Sequence, residues 1–457
     1  MLFLPKRTRK QERREQAVSI LVNMIKVGEI RLFFAPESLY KGAMRFIADF
    51  HIHSKYSRAT SKDMELDSLD KWAKIKGIKV LGTGDFTHPL WLEHLKEKLE
   101  PAEQGLFKLK TEDGTRFILT AEISCIYSKN NRTRKIHIII FAPSFETVEK
   151  INAKLGWVGN LKADGRPILG LDAKELAKIA LSASPDCLIV PAHAWTPWFS
   201  IFGSKSGFNS IEECFDEYSK YIYAIESGLS SDPAMNWRLS ALDKVAIISN
   251  SDSHSPSRIG REANVFDTEI SYTAILEAIK TRDSKKFLYT IEFFPEEGKY
   301  HFDGHRSCNI SLSPKESKKY NNICPSCGRP LTIGVLNRVE ELADRQEGFK
   351  PQGAIPFKSL IPLEEIIADA LGRQTGTKQG IQEYDNLIKV FQNEFQVLFE
   401  ASSQELSSVT LPEIAEGIVR VREGRVNIDP GYDGVYGKIR IFSKEERKIA
   451  PRQNTLF

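Results

Sequence analysis

Residues 49–54 read Asp-Phe-His-Ile-His-Ser and end the apolar stretch that begins at Phe46. In a strand, residues i and i+2 point to the same side, so His51 and His53 face one side together. Two neutral imidazoles on one side are good ligands for a metal ion. The pattern returns at residues 245–254, where Asp252 and His254 follow another apolar run. The two stretches predict a site for more than one metal ion.

Short apolar runs alternate with helix-like segments from Phe46 to about Pro295. Repeated βα units predict a parallel sheet, and the number of units predicts a closed, distorted barrel of the TIM type. The predicted strands are 46–53, 79–86, 115–127, 135–143, 187–194, 223–229 and 245–250, and amphipathic helices are predicted at 66–76, 173–182 and 272–281.

Residues that can bind metal recur where these strands end, which is where a barrel places its active site. A single histidine is more readily explained as a hydrogen-bonded core residue, but the whole set favours a metal centre. The candidates are His51, His53, Asp85, Glu122, His137, His193, Asp252 and His254.

Residues 296–345 carry a second metal-binding pattern. His305 and Cys308 form one close pair, and Cys324 and Cys327 form another. Two such pairs predict a tetrahedral structural zinc site rather than a redox pair. His301 is an alternative fourth ligand, but the spacing of His305 mirrors that of the cysteine pair.

The chain after Pro351 is predicted to be helical. One apolar face runs through Ile381–Ala401, and a second helix begins near Leu411 and ends at Gly424. In residues 429–442, glycines accompany Tyr432 and Lys438, which fits either contact with a DNA strand or a plain hairpin turn.

The ordered set of candidate ligands resembles the PHP (polymerase and histidinol phosphatase) superfamily over residues 46 to about 270. This resemblance implies a distorted barrel that binds two or three Zn²⁺, Mn²⁺ or Mg²⁺ ions and hydrolyses phosphoesters. PHP proteins usually carry Thr-Asp-His after the second strand, whereas residues 84–88 here read Gly-Asp-Phe-Thr-His, so Asp85, His88 or both are candidate ligands. We expect Glu122 to bridge two ions and Asp252 to serve in activating the nucleophile, which makes both catalytic candidates.

A barrel followed by the zinc unit and by the sequence of residues 331–345 resembles the endonuclease Q family, from about Met44 to Phe442. The resemblance implies a hydrolase of DNA repair that cleaves the phosphodiester 5′ of a deaminated base (uracil, hypoxanthine or xanthine) or of an abasic site. Two alternatives are a PHP-type phosphatase for small monoesters and a non-catalytic scaffold that binds DNA.

Five segments are expected. They are a basic, weakly ordered N-terminal extension (1–44), a PHP phosphoesterase barrel (45–295), a zinc-binding unit (296–345), a helical DNA-gripping domain (346–442) and a flexible tail (443–457). Residues 1–43 hold nine Lys and Arg against four Asp and Glu. The rest of the chain is therefore close to neutral, and bulk charge is no argument for DNA binding.

Short motifs suggest how partners are held. Trp195 and Trp198 follow the candidate ligand His193 and are predicted either to stack on a flipped base or to pack a loop. Gln453, Leu456 and Phe457 resemble the short peptide with which repair proteins dock on the replication sliding clamp.

No apolar run reaches the roughly 18 residues that a bilayer span needs, and six cysteines in a chain of this length do not suggest a disulfide framework. We expect a monomer in the cytoplasm, at the nucleoid when acting, without membrane contact.

Overall fold

The computed structural model describes residues 44–443 and residue 446. The expected N-terminal extension up to residue 43 and the clamp-like motif of Gln453, Leu456 and Phe457 lie outside the described residues. None of the described helices is long and apolar enough to cross a membrane.

Most strands are short and lie within one mixed sheet. They are β1 (Met44–Asp49), β2 (Val80–Gly82), β3 (Leu99–Pro101), β4 (Phe107–Leu109), β5 (Arg116–Lys129), β6 (Arg132–Ala142), β7 (Ile168–Leu169), β8 (Leu188–Pro191), β9 (Ala224–Glu226), β10 (Ala246–Ile248), β11 (Ala263–Thr268), β12 (Phe287–Glu292), β13 (Asp303–His305), β14 (Ile310–Leu312), β15 (Phe357–Ser359), β16 (Asn427–Asp429) and β17 (Lys438–Arg440).

The α-helices surround the sheet and fill the C-terminal region. They are α1 (Leu66–Lys76), α2 (Pro89–Lys98), α3 (Phe145–Leu155), α4 (Ala173–Ala183), α5 (Ile211–Phe215), α6 (Pro233–Asn236), α7 (Tyr272–Thr281), α8 (Pro314–Lys319), α9 (Val335–Leu342), α10 (Leu363–Ala370), α11 (Lys378–Phe391), α12 (Ser403–Val409) and α13 (Pro412–Arg422). Short 3-10 turns span Asp216–Tyr221, Ser240–Lys244, Pro256–Arg258, Pro295–Glu297 and Arg306–Cys308, and a π-helical turn spans Gln396–Glu400.

Seven strands form the barrel in the order β1, β2, β5, β6, β8, β9, β10. The pair β9–β10 joins β8 through the hydrogen bond from Ala194 N to Glu226 O, and it joins β1 through the bridge between Ile52 and Ser253. One buried apolar cluster takes a side chain from every strand of this ring: Ala48, Val80, Ile118, Ile139, Val190, Ala224 and Ile248. The predicted seven-stranded barrel is therefore confirmed.

The prediction of a wholly parallel sheet is wrong. Strands β5 and β6 form a long antiparallel hairpin, and β6 is also antiparallel to β8. The cause is the two-residue turn at Asn130 and Asn131, whose φ angles of 56° and 57° are those of a type I′ turn. On the far side of β1, strands β11, β12 and β15 extend the sheet beyond the ring.

The predicted helix Ile381–Ala401 is interrupted. Helix α11 ends at Phe391, and Gln392 adopts a left-handed φ of 72°. The side chain of Asn393 then accepts a hydrogen bond from Gln396 N and starts the π-helical turn. Leu387 is buried as expected, but Ile381 is half exposed.

Residues 427–440 form the hairpin β16–β17, a structure that is compatible with both interpretations of this stretch. The hairpin contacts the zinc-binding region directly, because Tyr432 bridges to Phe302 and its hydroxyl donates to Asn309 Oδ1. Helix α13 ends just before Gly424, as the sequence predicts.

Candidate metal centre

Two groups of ligand-type side chains lie at one end of the barrel. His51, His53 and Asp252 form the first group, and Glu122, His137 and His193 form the second. Within each group, the potential ligand atoms lie within 4.8 Å of one another. Glu122 and His137 lie within β5 and β6, and the other four side chains follow β1, β8 and β10, so the closed ring brings residues of five strands together.

Glu122 belongs to the second group and faces the first group with its other carboxylate oxygen. Its Oε1 is 2.9 Å from His193 Nε2 and 2.7 Å from His137 Nδ1, whereas its Oε2 faces the first group, 3.4 Å from His53 Nε2. A carboxylate with one oxygen toward each set is suited to bridge two ions. The position agrees with the role predicted for Glu122.

His51 carries a direct sign that a cation belongs here. Its Nε2 atom is buried and has no hydrogen-bond partner among the described residues, yet it lies 3.6 Å from both Glu122 Oε2 and Asp252 Oδ1. An unpartnered buried ring nitrogen costs free energy unless something binds it. The donor set of imidazoles and carboxylates fits a divalent metal ion.

The pKa shifts of His51 and Glu122 also indicate that the site favours a bound cation. Burial lowers the pKa of His51, but the charges of Glu226 and Asp252 outweigh it and raise that pKa well above its ordinary value. Burial raises the pKa of Glu122, but the charges of His137 and Arg166 outweigh it and lower that pKa well below its ordinary value. The carboxylates therefore stay ionised and attract positive charge, and a bound cation would replace the histidine protons.

A further carboxylate, Glu226, contacts one histidine of each ligand group on the side away from the other ligands. Its side chain lies 3.0 Å from His51 Nδ1, and it accepts hydrogen bonds from Asn250 Nδ2 and from the backbone N–H of His193. Such partners fix the ring orientation of ligating histidines. Glu226 was missed from the sequence, because an acidic residue at the end of a short apolar strand carries no distinctive spacing.

Asp85 contacts His53 as Glu226 contacts His51. It lies in neither ligand group, whereas the sequence predicted it as a metal ligand. Its Oδ1 lies 3.1 Å from His53 Nδ1, and its Oδ2 accepts hydrogen bonds from Ser54 and Ser57. Both oxygens are thus engaged with the chain on the side of His53 away from Asp252.

His88 and His254 lie outside both groups. The His88 ring stacks on Tyr56, with centroids 4.4 Å apart. His254 lies closer to the centre, because its ring is 4.5 Å from that of His53 and its Nδ1 donates to the backbone oxygen of Asp252. Of this pair, only His254 borders the centre.

The backbone is strained at the centre. Asp85, His193 and Asp252 all have left-handed φ angles, of 49°, 27° and 46°. Non-glycine residues adopt this conformation at a cost that the surrounding structure must offset, and such residues concentrate at functional sites.

Arg166 is a second residue that sequence analysis missed. Its guanidinium donates to Glu122 Oε2 at 3.0 Å, and the side chain is about one quarter exposed at the barrel mouth. The charge of Glu122 raises the pKa of Arg166, so the residue brings a fixed positive charge to the centre. Arg166 lies in a loop without a recognisable motif and therefore could not be identified as a site residue from the sequence.

The zinc unit brings its four predicted residues together. His305, Cys308, Cys324 and Cys327 lie with all potential ligand atoms within 4.8 Å, and His305 Nδ1 is 3.4 Å from Cys327 Sγ. His301 is instead buried against Phe302. The geometry therefore favours His305 over His301 as the histidine of this site.

The residues predicted to contact DNA differ in their exposure to solvent. The structure contradicts a base-stacking role for Trp195, which is 1% exposed, packs on Phe202 and donates to Asn236 Oδ1. Trp195 is a core residue because its loop folds back on itself, with Phe202 N donating to Ala194 O. Trp198 is 46% exposed, and Lys438 is also exposed.

Solved structures share this architecture. The lesion-specific endonuclease PfuEndoQ from Pyrococcus furiosus is 33% identical over 89% of this chain and 97% of its own, with a TM-score of 0.79. An endonuclease Q bound to a 27-mer duplex substrate, with an abasic lesion at its active site, is 32% identical over 88% of this chain and 98% of its own, with a TM-score of 0.77.

Sequence relatives match different parts of the chain. The family described as the MJ0043 C-terminal domain matches residues 362–425. The uncharacterized protein MJ0043 of Methanocaldococcus jannaschii is 36% identical over 54% of this chain, a match that spans 31% of that protein's length. The uncharacterized protein YqxK of Bacillus subtilis is 29% identical over 87% of this chain and 99% of its own.

The barrel and its ligand groups define a metal-dependent hydrolase of the PHP type. This chain and PfuEndoQ are 33% identical over most of both chains, and this similarity identifies the family within that class. The chain belongs to the endonuclease Q family.

Proposed function

We propose that this chain is a DNA repair endonuclease that hydrolyses the phosphodiester 5′ of a deaminated base or an abasic site. The observation that carries the proposal is the pair of neighbouring ligand groups at one end of the barrel, with Glu122 of the second group also facing the first. Membership of the endonuclease Q family supports DNA as the substrate, since one member was captured with an abasic lesion at its active site.

Two ions fit the geometry best. His51, His53 and Asp252 would hold one, Glu122, His137 and His193 would hold the other, and His254 is the nearest candidate for extending the set. When bound, Zn²⁺, Mn²⁺ or Mg²⁺ would lower the pKa of water and neutralise charge on the phosphate. His305, Cys308, Cys324 and Cys327 would hold a separate, structural Zn²⁺.

The chain's own residues then have distinct tasks. The Asp252 side chain is 26% exposed, whereas those of His51, His53 and Glu122 are at most 1% exposed. Asp252 therefore faces the substrate, where its carboxylate can orient the attacking water. Arg166 faces the same mouth and can donate hydrogen bonds to the scissile phosphate.

The C-terminal half is proposed to grip the DNA strand. Lys438 and Tyr432 lie on the hairpin that contacts the zinc unit, and Trp198 is exposed near the barrel. We further propose that the protein acts as a cytoplasmic monomer and that Gln453, Leu456 and Phe457 bind the sliding clamp. Deleting the last five residues is then expected to abolish clamp binding but not cleavage.

The test uses a 5′-labelled duplex with a single uracil, inosine or abasic site, incubated with the protein and Mn²⁺ or Mg²⁺. We expect a nick 5′ of the lesion and none in undamaged duplex. Binding without a nick would instead support a scaffold, and phosphate release from small esters alone would support a phosphatase.

A further inference from the structure

The loop of residues 156–167 carries an exposed tryptophan at its N-terminal end and reaches the metal centre at its C-terminal end. Trp157 is 92% exposed, while Trp91 and Trp195 are at most 1% exposed. Val158 and Ile168 at the two ends of the loop are also exposed, at 38% and 55%. Apolar side chains gathered in this way on a surface mark a contact with a partner.

The loop is anchored at both ends. At its N-terminal side, Asn152 Nδ2 of α3 donates to Phe86 O, and Val158 N donates to Leu155 O. At its C-terminal side, Gly165 N donates to Tyr56 O. Leu161, midway along the loop, is buried. Trp157 therefore projects from a fixed backbone, so little entropy is lost when a partner covers it.

The same loop reaches the metal centre. A Cβ atom at Gly165 would lie 2.2 Å from Asp85 Oδ2, so only glycine permits this approach. The next residue, Arg166, donates to Glu122. The other end of the loop lies on the same side of the barrel, because Asn152, close before Trp157, donates to Phe86 O, and Phe86 directly follows Asp85. A DNA strand whose phosphate occupies the barrel mouth would therefore lie near this loop.

The charges of the loop suit a polyanion. Lys162 and Arg166 are positive, and Lys154 precedes the loop at the end of α3. The one acidic residue, Asp164, is paired with Arg58 at 3.1 Å. Arg166 is paired with Glu122, but Lys154 and Lys162 form no ion pair with a described residue. An exposed indole beside such lysines is a combination that binds nucleic acid strands, whereas a protein partner would not need the excess positive charge.

We propose that Trp157 stacks on a nucleobase of the bound DNA strand close to the lesion. This inference rests on the proposed function, since it takes damaged DNA as the molecule that crosses the barrel mouth.

The test compares Trp157→Ala with Trp157→Phe, which keeps an aromatic face. Binding of a labelled abasic duplex is measured by fluorescence anisotropy without a chelator, and every protein in the series also carries Asp252→Ala so that cleavage is slow during the measurement. We expect Trp157→Ala to weaken binding about ten-fold, the scale of one base–aromatic stack, and Trp157→Phe to restore most of it. Tyr221→Ala, which removes a partly exposed ring in the 3-10 turn Asp216–Tyr221 before β9, is the matched control and should bind like the protein with Trp157 intact.

A cleavage assay with Mn²⁺ distinguishes failure of the proposed endonuclease function from failure of the stacking role of Trp157. If the wild type binds the duplex but does not nick it, the proposed function fails, and the anisotropy series still decides the role of Trp157. Wild-type affinity in Trp157→Ala, or an equal loss in Trp157→Phe, would overturn the stacking proposal.

Discussion

His51 Nδ1 lies 3.0 Å from Glu226 Oε1, and this contact turns the other ring nitrogen of His51 toward Glu122 and Asp252. Glu226 also accepts from His193 N, so one buried carboxylate positions a member of each ligand group. The arrangement of the metal centre therefore depends on a residue that is itself not a ligand.

Replacing Glu226 by Gln is expected to weaken metal binding about 10- to 100-fold, because the carboxylate no longer fixes the His51 ring. The measurement is cleavage activity titrated with Mn²⁺, in which the variant should need more metal but approach wild-type turnover at saturation. Glu212→Gln, at an exposed position, is the control. An unchanged metal requirement would refute the positioning role.

Replacing Arg166 by Ala is expected to lower turnover about 100-fold, because the scissile phosphate loses a donor for its developing charge. Arg166→Lys should recover only part of the rate, since an ammonium cannot donate in a bidentate manner. Metal content, measured on the same samples, should match the wild type. Loss of metal in proportion to loss of activity would mean that Arg166 only supports Glu122.

Replacing Cys308 and Cys327 by Ser together is expected to remove one tightly held zinc per chain and to lower the thermal stability, because ligand loss unfolds such small metal sites. Elemental analysis after dialysis measures the zinc. Cys214→Ser, at a buried cysteine outside the cluster, should retain it. A double variant that keeps the full zinc content would contradict the assignment.

The stability of the fold is expected to fall as pH rises from about 5 to 8. Burial, aided by the charge of Asp232, raises the pKa of Glu292 to about 8, above its ordinary 4.5. In this window the folded chain keeps a proton that the unfolded chain has lost, so the free energy of unfolding decreases with pH. Between pH 6 and 8, the free energy of unfolding, measured with urea, should fall by about 2 kcal/mol more for the wild type than for Glu292→Gln.

Glu269→Gln, at an exposed position, should follow the wild type in the same experiment. Parallel pH dependence of the wild type and Glu292→Gln would show that Glu292 is not the group responsible.

The sequence predicted those parts of the fold that local patterns determine. Helices α1 and α7 have the predicted bounds, and all seven barrel strands were located, because hydrophobic periodicity reports directly on them. The antiparallel β5–β6 hairpin was missed although Asn130 and Asn131 carried a turn signal.

The site was predictable only where residue type and spacing coincide. His51, His53, Glu122, His137, His193 and Asp252 do lie together. Glu226 and Arg166 could not be found, because their roles arise from contacts between distant segments. Trp195 was misassigned because an aromatic residue after a ligand is equally compatible with a core position.

Mapping the cleavage of a 5′-labelled duplex with one abasic site, by the wild type and by Asp252→Ala, tests most directly whether the metal centre cleaves damaged DNA. We expect the wild type to produce one product that ends at the phosphodiester 5′ of the lesion, and Asp252→Ala to bind the duplex equally well but to cleave at least about 1000-fold more slowly. Near-normal cleavage by Asp252→Ala, or wild-type cleavage that ignores the lesion, would contradict the account.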